Sequence, residues 1–220
     1  EKQVADTLHR LIKRAKGRII IATFASLISR IQIAIDAAEK NNKKIFIVGT
    51  SMVNNVNMAK KLGYLKVKPS TLVSKKELNS VNSKNLIIIC TGSQGEPTSA
   101  LTRMASQSHQ LISIEKNDTI ILSSNPVPGN EMKVSQNIDK LFNLGAKVIY
   151  NKMENVHVRG HAAMDELTII HKALKPEYFV GVHGEMRHLF LHKELAIKNG
   201  IKKNNAFVLK DGDILEISKS

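Results

Sequence analysis

Three histidines, His157, His161 and His183, lie in one stretch from Val156 to Glu185, each beside a glycine or one short step from one. The first two sit in the run HVRGHA, with Arg159 and Gly160 between them. The third ends the apolar run YFVGVH and is followed by Gly184 and Glu185. A strand that delivers a histidine into a glycine-containing turn before a helix is a common way to build a metal or phosphate site. His161 can donate a proton or contact a phosphate, and Arg159 adds a fixed charge suited to bidentate phosphate binding. His157 and His161 need not share a ligand, and surface loop histidines would explain the run as well. His183 is the best metal candidate, since imidazole is a common zinc ligand. It stands alone, however, and a zinc site needs at least three protein ligands. His9, His109, His171, His188 and His192 fall on expected helices and read as solvated faces.

The elements that would position these groups alternate. Helical spacing of Val4, Leu8, Leu11 and Ile12 predicts a first helix over 3–16, and RIIIATF follows as a buried strand. Ser26 can cap a helix over 27–40. Strand 44–49, a helix near 53–62, an irregular stretch over 63–83, strand 85–90 and a helix near 98–107 come next. The rhythm repeats with strand TIILS, a helix over 132–144, strand KVIY, a helix over 164–174, strand YFVGVH and a helix over 186–199. The end, AFVLKDGDILEI, reads as a hairpin around Asp211-Gly212. Strands alternating with helices predict an α/β fold, a largely parallel sheet flanked by helices.

In such sheets ligands bind outside the carboxyl ends of the strands. The loops leaving those ends (TFAS, GTS, TGSQGE, SSNPVPGNE, HVRGHA and HGE) are rich in Gly, Ser, Thr, Asn or His. TGSQGEP can offer N–H groups to an anion. It lacks the Gly-Lys-Ser/Thr of a P-loop, and a tight turn with Pro97 near a helix start explains it more simply. SSNPVPGNE is either a rigid loop or a support that sets Ser123 or Ser124 near a phosphate. A dinucleotide-binding domain would carry a glycine-rich loop after the first strand, and RIIIATFAS has none.

The chain has 220 residues, 42% hydrophobic, enough for one large domain or two small ones. No apolar run is long enough to span a membrane. The one cysteine, Cys90, sits in the buried run LIIIC, which excludes disulfide architecture within the chain and fits a reducing, cytoplasmic setting. A net charge of +14 favours a polyanionic partner, although lysines spread along the chain would also arise as background. Aromatics are only 4%, so no base-stacking surface is evident.

The segments TGSQGEPTSALTRMA, SSNPVPGNE, HVRGHA and KPEYFVGVHGEMRHL, with GRIIIATFASLISRIQIAIDAAEK before them, resemble ribonuclease J in order and over essentially the whole chain. These are bacterial enzymes of the metallo-β-lactamase superfamily with an inserted β-CASP domain. The resemblance implies a zinc-dependent 5′-to-3′ exoribonuclease and endoribonuclease that matures and degrades RNA, with two zinc ions and a metal-bound hydroxide. The family's HxHxDH motif is absent from this sequence. The resemblance therefore implies a fragment: the β-CASP domain over 1–163, then the returning part of the metallo-β-lactamase αββα sandwich over 164–220.

By the same resemblance, His183 matches a late zinc ligand, and His161 the histidine at the scissile phosphate. His157, Val158, Arg159, Gly160 and His161 match the loop that holds RNA phosphate. Phe24, Ala25 and Ser26 lie where the family also contacts substrate, and Ser124 is a further phosphate contact. The family loop usually reads HxSGH; Arg159 replaces its serine, which implies a weakened nuclease or altered end preference, as in a less active paralogue. A homo-oligomer or a pairing with such a paralogue is the implied assembly. The alternative is a non-catalytic RNA-binding or oligomerisation module.

Overall fold

A computed structural model describes residues 1–158 and 160–218. The chain divides into two compact units, the first running from Glu1 to Val158 and the second following it.

The first unit is built on a five-stranded sheet of β1 (Ile19–Ala22), β2 (Lys44–Val48), β3 (Leu86–Cys90), β4 (Thr119–Leu122) and β5 (Lys147–Tyr150). Its order is β2-β3-β1-β4-β5, and every pair is parallel. Strands covered on both faces should be continuously apolar. β1, β3 and β4 read IIIA, LIIIC and TIIL and are buried at every position. The two edge strands each expose residues in part.

Alternate residues feed opposite layers, as strand geometry requires. Ile19, Ile21, Ile87, Ile89 and Ile121 pack with α1 (Lys2–Arg14), α2 (Ile28–Lys40) and α3 (Thr50–Lys61). Ile20, Ala22, Ile88, Cys90 and Ile120 pack with α4 (Ala100–Ala105) and α5 (Glu131–Asn143). Burial pushes the Cys90 thiol up to about 12, so it is an inert core group.

The second unit holds α6 (Met164–Leu174), β6 (Phe179–Gly181), α7 (Met186–Lys198) and β7 (Ala206–Val208). β6 and β7 pair in parallel with α7 as the crossover between them. The α/β class with a parallel, helix-flanked sheet therefore holds. The C-terminal hairpin does not. Asp211-Gly212 forms its turn, with Asp213 N–H on the Lys210 carbonyl at 3.0 Å and Lys210 N–H on the Asp213 carboxylate at 2.8 Å. Among the described residues no strand returns from it, and β7 takes β6 as partner instead. The compact units divide after Val158, which puts His161 in the second unit.

Candidate phosphate-binding cleft

The carboxyl ends of β1, β2 and β3 open into a cleft of about 830 Å³. Thr23, Phe24, Ala25 and Ser26 form one wall. Gly49, Thr50 and Ser51, with Asn54 and Asn55 on α3, form the second. Thr91, Gly92, Ser93, Thr98, Ser99 and Arg103 form the third, together with Glu96. Hydroxyls, carboxamides and backbone N–H groups dominate. The first N–H groups of a helix lack intrahelical partners and carry partial positive charge, and Thr50 opens α3 in this cleft. Arg103 adds a full positive charge. The chemistry suits a phosphodiester: several neutral donors and one cation.

Close packing shapes the third wall. Gly92 has φ +109°, and a Cβ there would lie 2.5 Å from Ser99 Oγ and 2.8 Å from Leu101 Cβ. Gln94, buried, ties this loop to the one after β4: its amide donates to the Asn125 carbonyl at 2.8 Å, and its carbonyl accepts from Val127 N–H at 2.7 Å. The sequence marks the loops GTS and TGSQGE as rim but singles out none of Thr50, Ser51, Thr91 and Gln94, and it does not mark Ser99 or Arg103. Only their position after a strand marked the first four, and for TGSQGEP the plain helix-start explanation was preferred. The helix starts later, at Ala100 with Ser99 before it, so Pro97 belongs to the cleft loop and not to the first turn.

Phe24 and Ala25 are half-buried and Ser26 is exposed on the cleft wall. Ser26 does not cap α2. Leu27 holds that position with no side-chain cap bond, which leaves the Ser26 hydroxyl to the cleft. Ser124 departs from its expected role. It is buried, donates to the Ser93 carbonyl at 3.2 Å and accepts from Gln94 at 3.2 Å. Its hydroxyl joins two loops and so holds the wall of the cleft.

His157 is anchored from below. The Arg30 guanidinium, fully buried, donates to the Val156 carbonyl at 2.7 Å and to the Ser123 hydroxyl, and pairs with the Glu1 carboxylate at 3.0 Å. Ser123 also donates to the Val156 carbonyl, at 2.6 Å. The residue before His157 is thereby fixed. His157 Nδ1 is buried with no hydrogen-bond partner among the described residues. Burial first, and the nearby Arg30 charge second, pull the His157 imidazole below its ordinary value, so it is held neutral. It lies half-buried in its loop and not fully exposed. Val158 is exposed, and Arg159 lies outside the described residues.

In the second unit, His161 and His183 stack with ring centroids 5.5 Å apart and planes within 10°. His183 is exposed and sits at φ +62°, a strained backbone for a non-glycine residue. The fold brings these two imidazoles together. Among the described residues no group of three His, Cys, Asp or Glu side chains gathers to hold a metal. His183 can supply one ligand, but the residues present do not make a zinc site by themselves.

The helix histidines are not all solvated. His109 lies after α4 and accepts from the N–H groups of Leu111 and Ile112 at 3.3 and 3.1 Å. His9 Nδ1 is buried. His171 is buried against Phe179, and its Nε2 stands 3.3 Å from His192 Nε2. The donors in this group can be assigned. Thr168 donates to the Met164 carbonyl and so accepts from the Asn199 amide, whose NH₂ then faces His171 Nδ1 at 3.3 Å. His171 therefore carries its proton on Nε2 and gives it to His192.

A proton added to His192 Nε2 would oppose that donor. Burial and then His171 hold the His192 imidazole below 6.5. A depressed histidine stabilises the fold above its unfolded value of about 6.5 and loses that contribution as pH falls through its lower folded value. We expect the protection of α6 and α7 amides, taken relative to the intrinsic exchange rate at each pH, to fall between pH 7.5 and pH 5 in the wild type, and His192→Leu to flatten that dependence. Equal slopes in the two proteins would contradict the assignment.

The described geometry is that of a donor-lined cleft on a parallel sheet, with an imidazole pair in the following unit. Comparison with known proteins gives the family. The family model for the ribonuclease J β-CASP domain matches residues 16–141, and that for a Zn-dependent metallo-hydrolase RNA specificity domain matches 145–208. The chain is 38% identical to ribonuclease J of Synechocystis over 218 residues, covering 99% of this chain and 34% of that protein. It is 40% identical to ribonuclease J of Helicobacter pylori over 217 residues, 99% of this chain and 32% of the relative. For ribonuclease J of Corynebacterium glutamicum the identity is 42% over 217 residues, 99% and 30%. The chain thus spans about a third of the length of the relatives it matches. With the first family model covering more than half of it, the chain belongs to the ribonuclease J β-CASP family.

Proposed function

We propose that this chain is the RNA-holding part of a zinc-dependent ribonuclease, acting as a 5′-to-3′ exonuclease and endonuclease in bacterial RNA maturation and decay. The observation that carries this is the neutral-donor cleft at the carboxyl ends of β1, β2 and β3 within a ribonuclease J family fold. Phe24 to Ser26, with the hydroxyls and N–H groups facing them, bind backbone phosphates. His157, above the Arg30 anchor, presents a hydrogen-bonding imidazole whose pKa burial and the Arg30 charge lower from its ordinary value. Val158, Arg159 and Gly160 belong to that same phosphate-holding loop. His161 is the group assigned to the scissile phosphate, where it stabilises charge or moves a proton. Its stack with His183 supports a shared place of action. His183 offers one imidazole to zinc, with the remaining ligands supplied outside this chain. The β-CASP part is assigned to 1–163 and the returning part to 164–220, and the assembly to a homo-oligomer or a paralogue pair.

A second reading is favoured by one observation: no three metal ligands gather among the described residues. On that reading the chain alone binds RNA without cleaving it. Both readings predict binding of a 5′-monophosphorylated single-stranded RNA, with a negative salt slope. At 0.1 M salt, Arg103→Glu is expected to weaken binding about tenfold, and Glu96→Gln to strengthen it. Fluorescence anisotropy measures both. No binding by the wild type, or binding indifferent to both changes, overturns the assignment of the cleft. Stoichiometric zinc with cleavage of the same RNA by this chain alone would contradict both readings, since each leaves the chain without a complete metal site.

A further inference from the structure

Beside the polar cleft runs a groove of different character, about 560 Å³, between α2 and the end of α3. Ile28, Met58, Ala59 and Leu62 line it, Tyr64 closes it, and Ser29 stands at its edge. Ser26 and Asn55 line both the groove and the polar cleft, so the two are continuous.

Tyr64 is an aromatic ring held out into water. Its side chain is 76% exposed, yet its backbone is fixed. Gly63, at φ +78°, ends α3 in a Schellman turn: Tyr64 N–H bonds to the Ala59 carbonyl at 2.9 Å and Gly63 N–H to the Lys60 carbonyl at 3.1 Å. Met58 and Leu62 beside it are 55% and 63% exposed. A soluble surface rarely spends three large apolar side chains this way without an occupant. Lys60 and Lys61, both exposed, close the same helix and offer cations to an anionic chain.

We propose that this groove is a nucleobase subsite: one unpaired base of a single-stranded RNA stacks on Tyr64 over Met58 and Leu62. The next phosphate enters the polar cleft past Ser26 and Asn55, whose carboxamide meets the base edge. This rests on the phosphate reading of the cleft. Three observations select RNA over a second copy of the chain. The groove opens directly into a cleft of phosphate-binding character, lysines flank its aromatic end, and the chain carries a net charge of +14. Aromatic rings under bases give sequence-tolerant binding, and the low aromatic content of the chain concealed this one, because a single fixed tyrosine suffices.

The test uses the 220-residue chain and two labelled oligomers, 5′-monophosphorylated hexauridylate and an abasic oligomer of the same length and charge. The wild type is expected to prefer hexauridylate. Tyr64→Ala should cost about tenfold in affinity for hexauridylate and leave the abasic oligomer unchanged, whereas Tyr64→Phe should retain both. Leu62→Ser gives a second, non-aromatic probe of the groove with the same expected selectivity. If Tyr64→Ala weakens both oligomers equally, or neither, while the abasic oligomer still binds, the subsite is wrong and the cleft stands. If the wild type binds neither oligomer, both fail. Dissociation of a dimer by Tyr64→Ala in sedimentation, with base preference unchanged, would give the groove to a second copy and overturn the proposal.

Discussion

Arg30→Met is expected to lower the unfolding free energy by about 3 kcal/mol. The guanidinium is fully buried among the apolar residues of α2 and the sheet, where its hydrogen bonds join three separate segments: Glu1, Ser123 and Val156. Methionine keeps most of the volume, so the loss is mainly of charged hydrogen bonds and not of packing. Removing one member of a buried pair is costly when it strands the other. Here the Glu1 side chain is 46% exposed and regains water, which holds the figure at the low end of that range. Urea unfolding should show a lower midpoint with an unchanged slope. A loss under about 1 kcal/mol would mean that the Ser123–Val156 bond alone anchors the loop. The same substitution removes one of the two influences that keep His157 neutral. Burial, the larger, remains, so the His157 titration followed by NMR should move up only part of the way.

Gly92→Ala is expected to cost a similar amount, about 3 kcal/mol, and to damage RNA binding as well. Two penalties add at this position. The backbone at φ +109° suits no L side chain, and the new methyl would fall within 3.0 Å of Ser99 Oγ, Leu101 Cβ and the Leu101 nitrogen. Relief requires the third wall of the cleft to move, which misplaces Thr91, Ser93 and Ser99 relative to the other two walls. Gly63→Ala supplies the contrast. Its φ is +78° and nothing lies within 4 Å of the new methyl, so only the left-handed penalty of roughly 1 kcal/mol applies. Equal losses in the two variants would show that crowding at Gly92 contributes nothing. Thermal unfolding and anisotropy with the same RNA decide it.

The parts of the fold that were legible in the sequence are those written in local chemistry. Continuous apolar runs such as LIIIC announced buried parallel strands, and apolar spacing announced α1, because burial on two faces or one stripe leaves those marks. The strand order was not legible. Nothing in RIIIATF says that it lies between LIIIC and TIILS. The failed hairpin has the same origin: Asp211-Gly212 encodes a turn, but whether a strand returns depends on a distant partner, and β6 had already taken that role.

In the candidate site, residue type carried only half of the information. Ser26 and Ser124 read alike, yet one faces the cleft and the other joins two loops, a distinction made by Gln94 from another segment. His171 looked like a solvated helix residue because its partners, Phe179, His192 and Asn199, come from elements further along the chain.

The central position of β1 also bears on how the chain reaches this fold. Ile19 pairs with Ile87 on one side and with Thr119 on the other. The first strand to be made is therefore one of the last to be enclosed, since both neighbours lie far along the chain. Such distant pairing must meet its loop-closure cost before any contact repays it, which slows folding. During synthesis IIIA stays unpaired on both edges until β3 emerges and on one edge until β4 does, an interval in which α1 and α2, already made, are the cover at hand. The early amphipathic helices thus serve as temporary shelter for the sheet's middle strand before they become one of its permanent layers.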